Sequence, residues 1–311
     1  MIYTIGHRTT YHYEKPVGFA RCVLRLRPAS SDRQTLLSNV VTVTPEPSNV
    51  VVGRGPFGEE TGTIVIELPH EQLVIEAHSR VDVHARFDHD PDDSPAWEAV
   101  GVAAFGARSL DTDGPAAYLY PTRRTPTAAA ITDYARRSFT AARPIVAAAS
   151  ELMTRIYADF VYDAEATTVS TPALQAFEAR RGVCQDFAHI MIAGLRGLGL
   201  PAAYVSGYLR TSPPPGRPRL AGADATHAWV AIWCGADRGW IGFDPTNAVL
   251  AQNDHIVLAR GRDYSDVAPI DGIILAPGGQ TLKVAVDVVP DSEALDSAGK
   301  CRQSTVHQST R

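Results

Sequence analysis

Cysteine is scarce in this chain: Cys22, Cys184, Cys234 and Cys301 are the only four in 311 residues, and no CxxC pair occurs. Disulfide frameworks and zinc ribbons are built on closely spaced pairs, so the sequence argues against both, and it assigns no metal and no cofactor. No run of eighteen apolar residues is present, which argues against a membrane span and a membrane partner. Basic charge is not in excess either. Lys and Arg number 29 against 34 Asp and Glu, a net charge of −5 and the wrong sign for a nucleic-acid surface. The opening "MIYTIGHRTTYHYEKPV" lacks a charged segment followed by an apolar block. It predicts no signal peptide and a cytoplasmic chain, where thiols stay free. His7, His12, His78, His84 and His89 show no repeated ligand spacing.

What is present is ordinary globular composition, 45% hydrophobic and 20% charged, in a length that suits two domains. In "CVLRLRP" the residues Cys22, Leu24 and Leu26 fall on one face and Arg25 and Arg27 on the other, the period of a half-buried strand. "NVVTVTP", "GTIVIELP" and "LVIEAHSRVDVHA" are further β-branched runs separated by turn-rich pieces. Residues 1–95 therefore predict a β-sandwich domain. Residues 96–125, rich in Asp, Pro and Gly, read as a linker. From 126 an alanine-rich stretch, divided by Pro144, predicts two helices. "STPALQAFEARRG", a further helix and three or more strands follow, so residues 126–290 predict a segregated α+β domain with helices packed on an antiparallel sheet. The polar, aperiodic tail 291–311, which contains Cys301, is expected to be disordered.

The chemistry concentrates in three places. Phe187, Ile190, Met191, Gly194, Leu195 and Leu198 recur at helical spacing, so a helix starts near Cys184, just after Gly182. A thiol in a first helical turn lies beside unpaired N–H groups and the positive end of the dipole, which favours thiolate. The same N–H groups suit an oxyanion. The plainer alternative is a small buried cysteine at a helix start. "THAWVAIWCGADRGWIGFDPTN" reads as a β-hairpin with "CGADRG" as its turn. If Cys234 pairs with Gly239, paired numbers sum to 473, and Asp244 becomes the diagonal neighbour of His227 on one face. A slip of one residue would send Asp244 to the opposite face. Such an Asp would fix the imidazole tautomer and leave the other nitrogen for the thiol. Singly, His227 reads equally as a packed histidine and Asp244 as a turn residue before Pro245.

"GVCQDFAH", "AAYVSGYL", "THAWVAIW" and "WIGFDPTN" together resemble the core of the bacterial transglutaminase-like proteins, whose fold is related to papain-type cysteine proteases. The N-terminal region resembles the β domain that often precedes that core. The resemblance spans about residues 1–290 and implies Cys184 as nucleophile, His227 as base and Asp244 as orienting acid. It implies an acyl-transfer enzyme acting on a protein or peptide substrate: a peptidase or amidase if water resolves the acyl-enzyme, a protein-glutamine transferase if an amine does. A non-catalytic peptide-binding module is the alternative.

Gln185, Tyr208 and Trp229 are secondary candidates for the oxyanion or substrate side of the site. His189, five residues past Cys184 and about 140° around the helix, reads as packing. The proline-rich "RTSPPPGRPRLAGADAT", 210–226, predicts a flap at the cleft mouth. The β domain has three candidate roles: covering the cleft, recruiting a partner, or forming a homo-oligomer.

Overall fold

In the computed structural model of the chain, residues 1–84, 90–109, 111–211, 225–275 and 278–292 are described. The flap residues 212–224 and the tail from 293 onward, Cys301 included, lie outside them. Six strands come first: β1 (Ile2–Val17), β2 (Ala20–Leu24), β3 (Gln34–Thr44), β4 (Asn49–Arg54), β5 (Glu60–Ile66) and β6 (His70–Val83). Helices α1 (Trp97–Gly106), α2 (Ala129–Arg136) and α3 (Ile145–Asp159) follow, then β7 (Val161–Tyr162), α4 (Ala173–Ala179), β8 (Arg181–Gly182) and α5 (Cys184–Gly197). The chain continues through β9 (Ala202–Leu209), β10 (Ala225–Trp233), β11 (Trp240–Asp244), β12 (Val249–Leu250), β13 (His255–Gly261), α6 (Tyr264–Val267), β14 (Ile270–Ile274) and β15 (Gln280–Pro290).

Two antiparallel sheets, ordered β15-β1-β6-β3 and β14-β2-β5-β4, form the sandwich. Alternation decides what fills it. Cys22, Leu24, Ile64 and Ile66 from one sheet meet Tyr13, Leu73, Ile75 and Ala77 from the other. The last two strands correct the sequence-based boundaries. Residues 270–290, assigned to the second domain by their position, complete the first: β14 pairs with β2, and β15 with β1 from Tyr3↔Pro290 to Tyr13↔Gln280. Alternation identifies a strand but not its partner, and this pairing closes nearly the whole chain.

The second domain is a five-stranded sheet, β12-β11-β10-β9-β13, with α5 buried against one face beneath α2, α3 and α4. Proline ends the approach to α3, since Pro144 stands immediately before Ile145. Edge strand β13 and the adjoining end of β9 meet the sandwich. There Tyr208, Ile256 and Leu258 pack with Tyr3, Ile5, Val81, Val83, Val286 and Val288. Segment 96–125 is more than a linker. It contains α1 and a short 3-10 turn, Pro115–Tyr118, and it sends Tyr118 into a fully buried position beside Ala203, Val205 and Trp229.

Candidate active site

Cys184 is the first residue of α5. The short strand β8 ends one residue before Val183, and Gly182 pairs with Tyr162 of β7. The side chain of Asp186 turns back over this junction. Its Oδ2 accepts from the Val183 N–H at 2.9 Å and from the Thr167 hydroxyl at 2.6 Å, so the carboxylate caps its own helix. Burial pushes the Asp186 pKa up, opposed by those two hydrogen bonds. The first-turn N–H groups of Cys184 and Gln185 have no hydrogen-bond partner among the described residues, as expected for positions without an intrahelical acceptor. They are available to an oxyanion. Of the three described cysteines, Cys184 alone is partly exposed. Burial pushes Cys22 up to about 11 and Cys234 up to about 12, so neither offers a thiolate near neutrality.

The hairpin β10–β11 has the register in which paired numbers sum to 473: Val230↔Phe243, Ile232↔Ile241, Trp233↔Trp240. Cys234 N–H donates to the Gly239 carbonyl at its turn. That register places His227 and Asp244 on one face, and His227 Nε2 lies 2.8 Å from Asp244 Oδ2. Asp244 is fully buried and its carboxylate is saturated. Oδ2 also takes donors from Asn247 Nδ2 at 2.7 Å and His255 Nε2 at 3.1 Å, while Oδ1 accepts from the N–H of Thr246 at 2.9 Å and of Asn247 at 3.3 Å. Burial alone would raise the carboxyl pKa. The hydrogen bonds from His227 and His255, with the His227 charge and Asn247 behind them, outweigh it and hold Asp244 well below the usual carboxylate range. For His227 burial works downward, but hydrogen bonds and charge from Asp244 and Cys184 raise it to about 10. With Nε2 on Asp244, Nδ1 is the nitrogen left for the sulfur.

Residues 3–82 match the bacterial transglutaminase-like N-terminal region, and residues 132–245 match the transglutaminase-like superfamily. The chain belongs to the transglutaminase-like superfamily. It is 40% identical over 302 residues to the uncharacterized protein Rv2569c of Mycobacterium tuberculosis, covering 94% of each chain. A protein-glutamine gamma-glutamyltransferase of Pseudomonas aeruginosa is 32% identical over 162 residues, 48% of this chain and 23% of that one. Among solved structures, a candidate cysteine protease from Cytophaga hutchinsonii superimposes with a TM-score of 0.70 at 21% identity, over 93% of this chain and 91% of that one. The fold is thus α+β with a papain-like, transglutaminase-like core.

Within this transglutaminase-like core the secondary candidates separate. Trp229 lies beside the site, its ring stacked on His227 with centroids 6.1 Å apart and edge-on to His255 at 5.2 Å. It walls the imidazoles off from the space behind them. Gln185 is buried and donates from its amide to the Val169 carbonyl at 3.1 Å, which ties the loop before α4 to α5. Tyr208 leaves the site. It pairs with Thr226, one residue out of phase with His227, so its side chain emerges on the opposite face. There its hydroxyl meets His7 Nδ1 at 2.9 Å in the junction with the sandwich. His189 is packed against Tyr204 and accepts from the Tyr264 N–H at 3.3 Å.

The sequence offers no signal for His255. The strand of His255, β13, is separated from β11 by β9 and β10, so no adjacent-strand rule brings it to Asp244. His227, Asp244 and His255 are also the one set of potential metal ligands that converges among the described residues, their ligand atoms within 4.8 Å of one another. Asp244 Oδ2 sits at hydrogen-bond distance from both Nε2 atoms, 2.8 Å from His227 and 3.1 Å from His255.

Proposed function

We propose that this chain is a thiol-dependent acyl-transfer enzyme acting on peptide or side-chain amides. The observation that carries the reading is the orientation of His227, with Nε2 fixed on buried Asp244 and the thiol of Cys184 interacting with the same ring. The Cys184 sulfur attacks the amide carbonyl carbon, and the C–N bond breaks after His227 has passed its proton to the departing nitrogen. The oxyanion of the intermediate is met by the first-turn N–H groups of Cys184 and Gln185. The product of this half is a thioester on Cys184 and a free amine or ammonia. Water, deprotonated by His227, then releases a carboxylic acid; a primary amine in its place yields a new amide. Hydrolysis is the principal branch, since water needs no binding pocket, and protein-glutamine transfer is the amine-resolved branch of the same chemistry.

Two measurements test this. Limiting iodoacetamide across pH 5 to 9 is expected to label Cys184 well below the ordinary thiol pKa, about 8.5, and His227→Ala should abolish that preference. Uniform slow labelling of every accessible cysteine would sink the thiolate reading. A casein-like substrate, incubated with and without a labelled amine, separates peptide fragments, incorporated amine and released ammonia. None of the three appearing would leave a binding module on the same fold.

A further inference from the structure

The carboxylate that holds His227 is itself held by a second imidazole, and that imidazole stands on a strand whose backbone the N-terminal sandwich grips. His255 opens β13. Its Nδ1 accepts from the Gln252 N–H at 3.4 Å, which leaves the proton on Nε2, directed at Asp244 Oδ2 at 3.1 Å. Two residues on, the side chain of Gln34 from the sandwich grips the backbone of Val257 on both sides. Gln34 Oε1 accepts from the Val257 N–H at 2.8 Å, and Gln34 Nε2 donates to the Val257 carbonyl at 2.9 Å. The same amide also donates to the Ala29 carbonyl at 2.6 Å, and the Ala29 N–H donates to the Val257 carbonyl at 3.0 Å. Gln34 is 3% exposed, so this clamp replaces strand pairing in a place where water is excluded. Ile256, between the two contacts, is fully buried among sandwich side chains.

We propose that His255 is a positioning residue for the orienting acid, and that the N-terminal sandwich serves the active site through it. Gln34 holds Val257, β13 thereby holds His255, and His255 holds the Asp244 carboxylate in the plane facing His227. Without the His255 donor, Oδ2 keeps only Asn247 and His227, and both lie on the same chain segment or the base itself. Asn247 is three residues from Asp244 and moves with it, so His255 is the side-chain donor that anchors the carboxylate to an independent element. Outer donors of this kind set the orientation and basicity of the group they hold. The titratable groups acting on His227 are Asp244 and Cys184, and those acting on Asp244 are the two histidines. This inference rests on the proposed Cys184–His227–Asp244 chemistry and adds to it a reason for the two domains to be joined.

The test uses the full chain and the pH profile of Cys184 alkylation by iodoacetamide, with thermal melting recorded beside it. His255→Phe is expected to lower the labelling rate at pH 6 about tenfold and to move the inflection upward. His255→Gln, whose amide can place an N–H where Nε2 stood, is expected to stay within about threefold of the parent. Gln34→Ala should shift the profile in the same direction as His255→Phe although it lies in the other domain. A folded His255→Phe with the parent profile and only a lower melting temperature overturns the proposal. If that variant does not fold, Gln34→Ala decides: a shifted profile supports the proposal and an unchanged one overturns it. A parent protein whose Cys184 labels like an ordinary thiol, with or without His227, would overturn both this inference and the catalytic reading, and so is distinguishable from failure of the inference alone.

Discussion

Gly182 and Asp186 share a space that admits only one side chain. A methyl group on Gly182 would lie 2.5 Å from Asp186 Oδ2 and 2.9 Å from its Cβ, closer than non-bonded atoms approach. The carboxylate occupies that space because it caps the Val183 N–H immediately before Cys184. Gly182→Ala must therefore push Asp186 away or tilt the first turn of α5. The expected cost is about 1–3 kcal/mol in urea unfolding, typical of overpacking. The alkylation rate of Cys184 should fall with it, because the sulfur rides on the turn that shifts. Parent stability and parent reactivity in that variant would show that the junction has room.

How much of this was legible in the sequence depends on the range of the interaction. The start of α5 could be read because Gly182 and the helical spacing from Phe187 are local signals. The hairpin register could be read because a period of two gives only two choices, and one of them puts Asp244 beside His227. Strands β14 and β15 fall in the region read only as three or more strands, and nothing local assigns "IDGII" or "TLKVAVDVV" to a sheet begun more than two hundred residues earlier. Segment 96–125 read as a linker from its prolines and glycines, while its attachment depends on Arg196, far along the chain. His255 was invisible for a similar reason: its contact with Asp244 depends on strand order, and strand order is a property of the folded sheet.

Asp244→Asn preserves shape and removes the negative charge that raises His227. The imidazolium form then loses its principal partner, and the pKa of His227, held at about 10 in the parent, should fall. Turnover on any substrate the parent accepts is expected to drop by about 10⁴, the loss seen when an orienting carboxylate is made neutral. The alkylation profile supplies a check that needs no substrate. Low-pH labelling of Cys184 should shrink, and labelling at pH 6 equal to the parent would count against the role of the acid.

The pH dependence of stability follows from histidines outside the site. Burial lowers His7 to about 4 and His189 to about 3, against an ordinary value near 6.5. Between those values the unfolded chain binds protons that the folded chain refuses. Their contribution is present in full above about pH 6.5 and is lost as pH falls toward 4. The slope is at most about 1.4 kcal/mol per pH unit for each ring. His227 has the opposite sign. Its raised value stabilises the fold below about 6.5, and that share is lost as pH rises through about 10. Urea unfolding from pH 4 to 10 should therefore trace a dome. His7→Gln is expected to flatten its acid side and leave its alkaline side unchanged; an equally steep acid limb in that variant would remove His7 from the account.

Arg196 fastens the other end of the nucleophile helix. It is 7% exposed, and its guanidinium donates to four acceptors: Tyr118 O at 3.0 Å, Thr125 Oγ1 at 2.8 Å, Ala202 O at 2.8 Å and Arg262 O at 2.7 Å. Burial lowers its pKa to about 10, partly offset by Asp263, so the charge is retained at neutral pH. Every acceptor is a buried or half-buried oxygen that water would otherwise have to reach. Arg196→Met takes one donor from each of the four, and the expected loss is about 3–5 kcal/mol in urea unfolding. Lysine is the sharper probe. Its single ammonium has charge but lacks the planar fork, so it can serve at most part of the set, and Arg196→Lys should still lose about 2 kcal/mol. Limited proteolysis within 107–125 should accelerate in both variants, because Tyr118 and Thr125 are tied to α5 through this side chain. If lysine restores stability to within about 0.5 kcal/mol of the parent, the four-way geometry is not what holds the segment, and charge alone suffices.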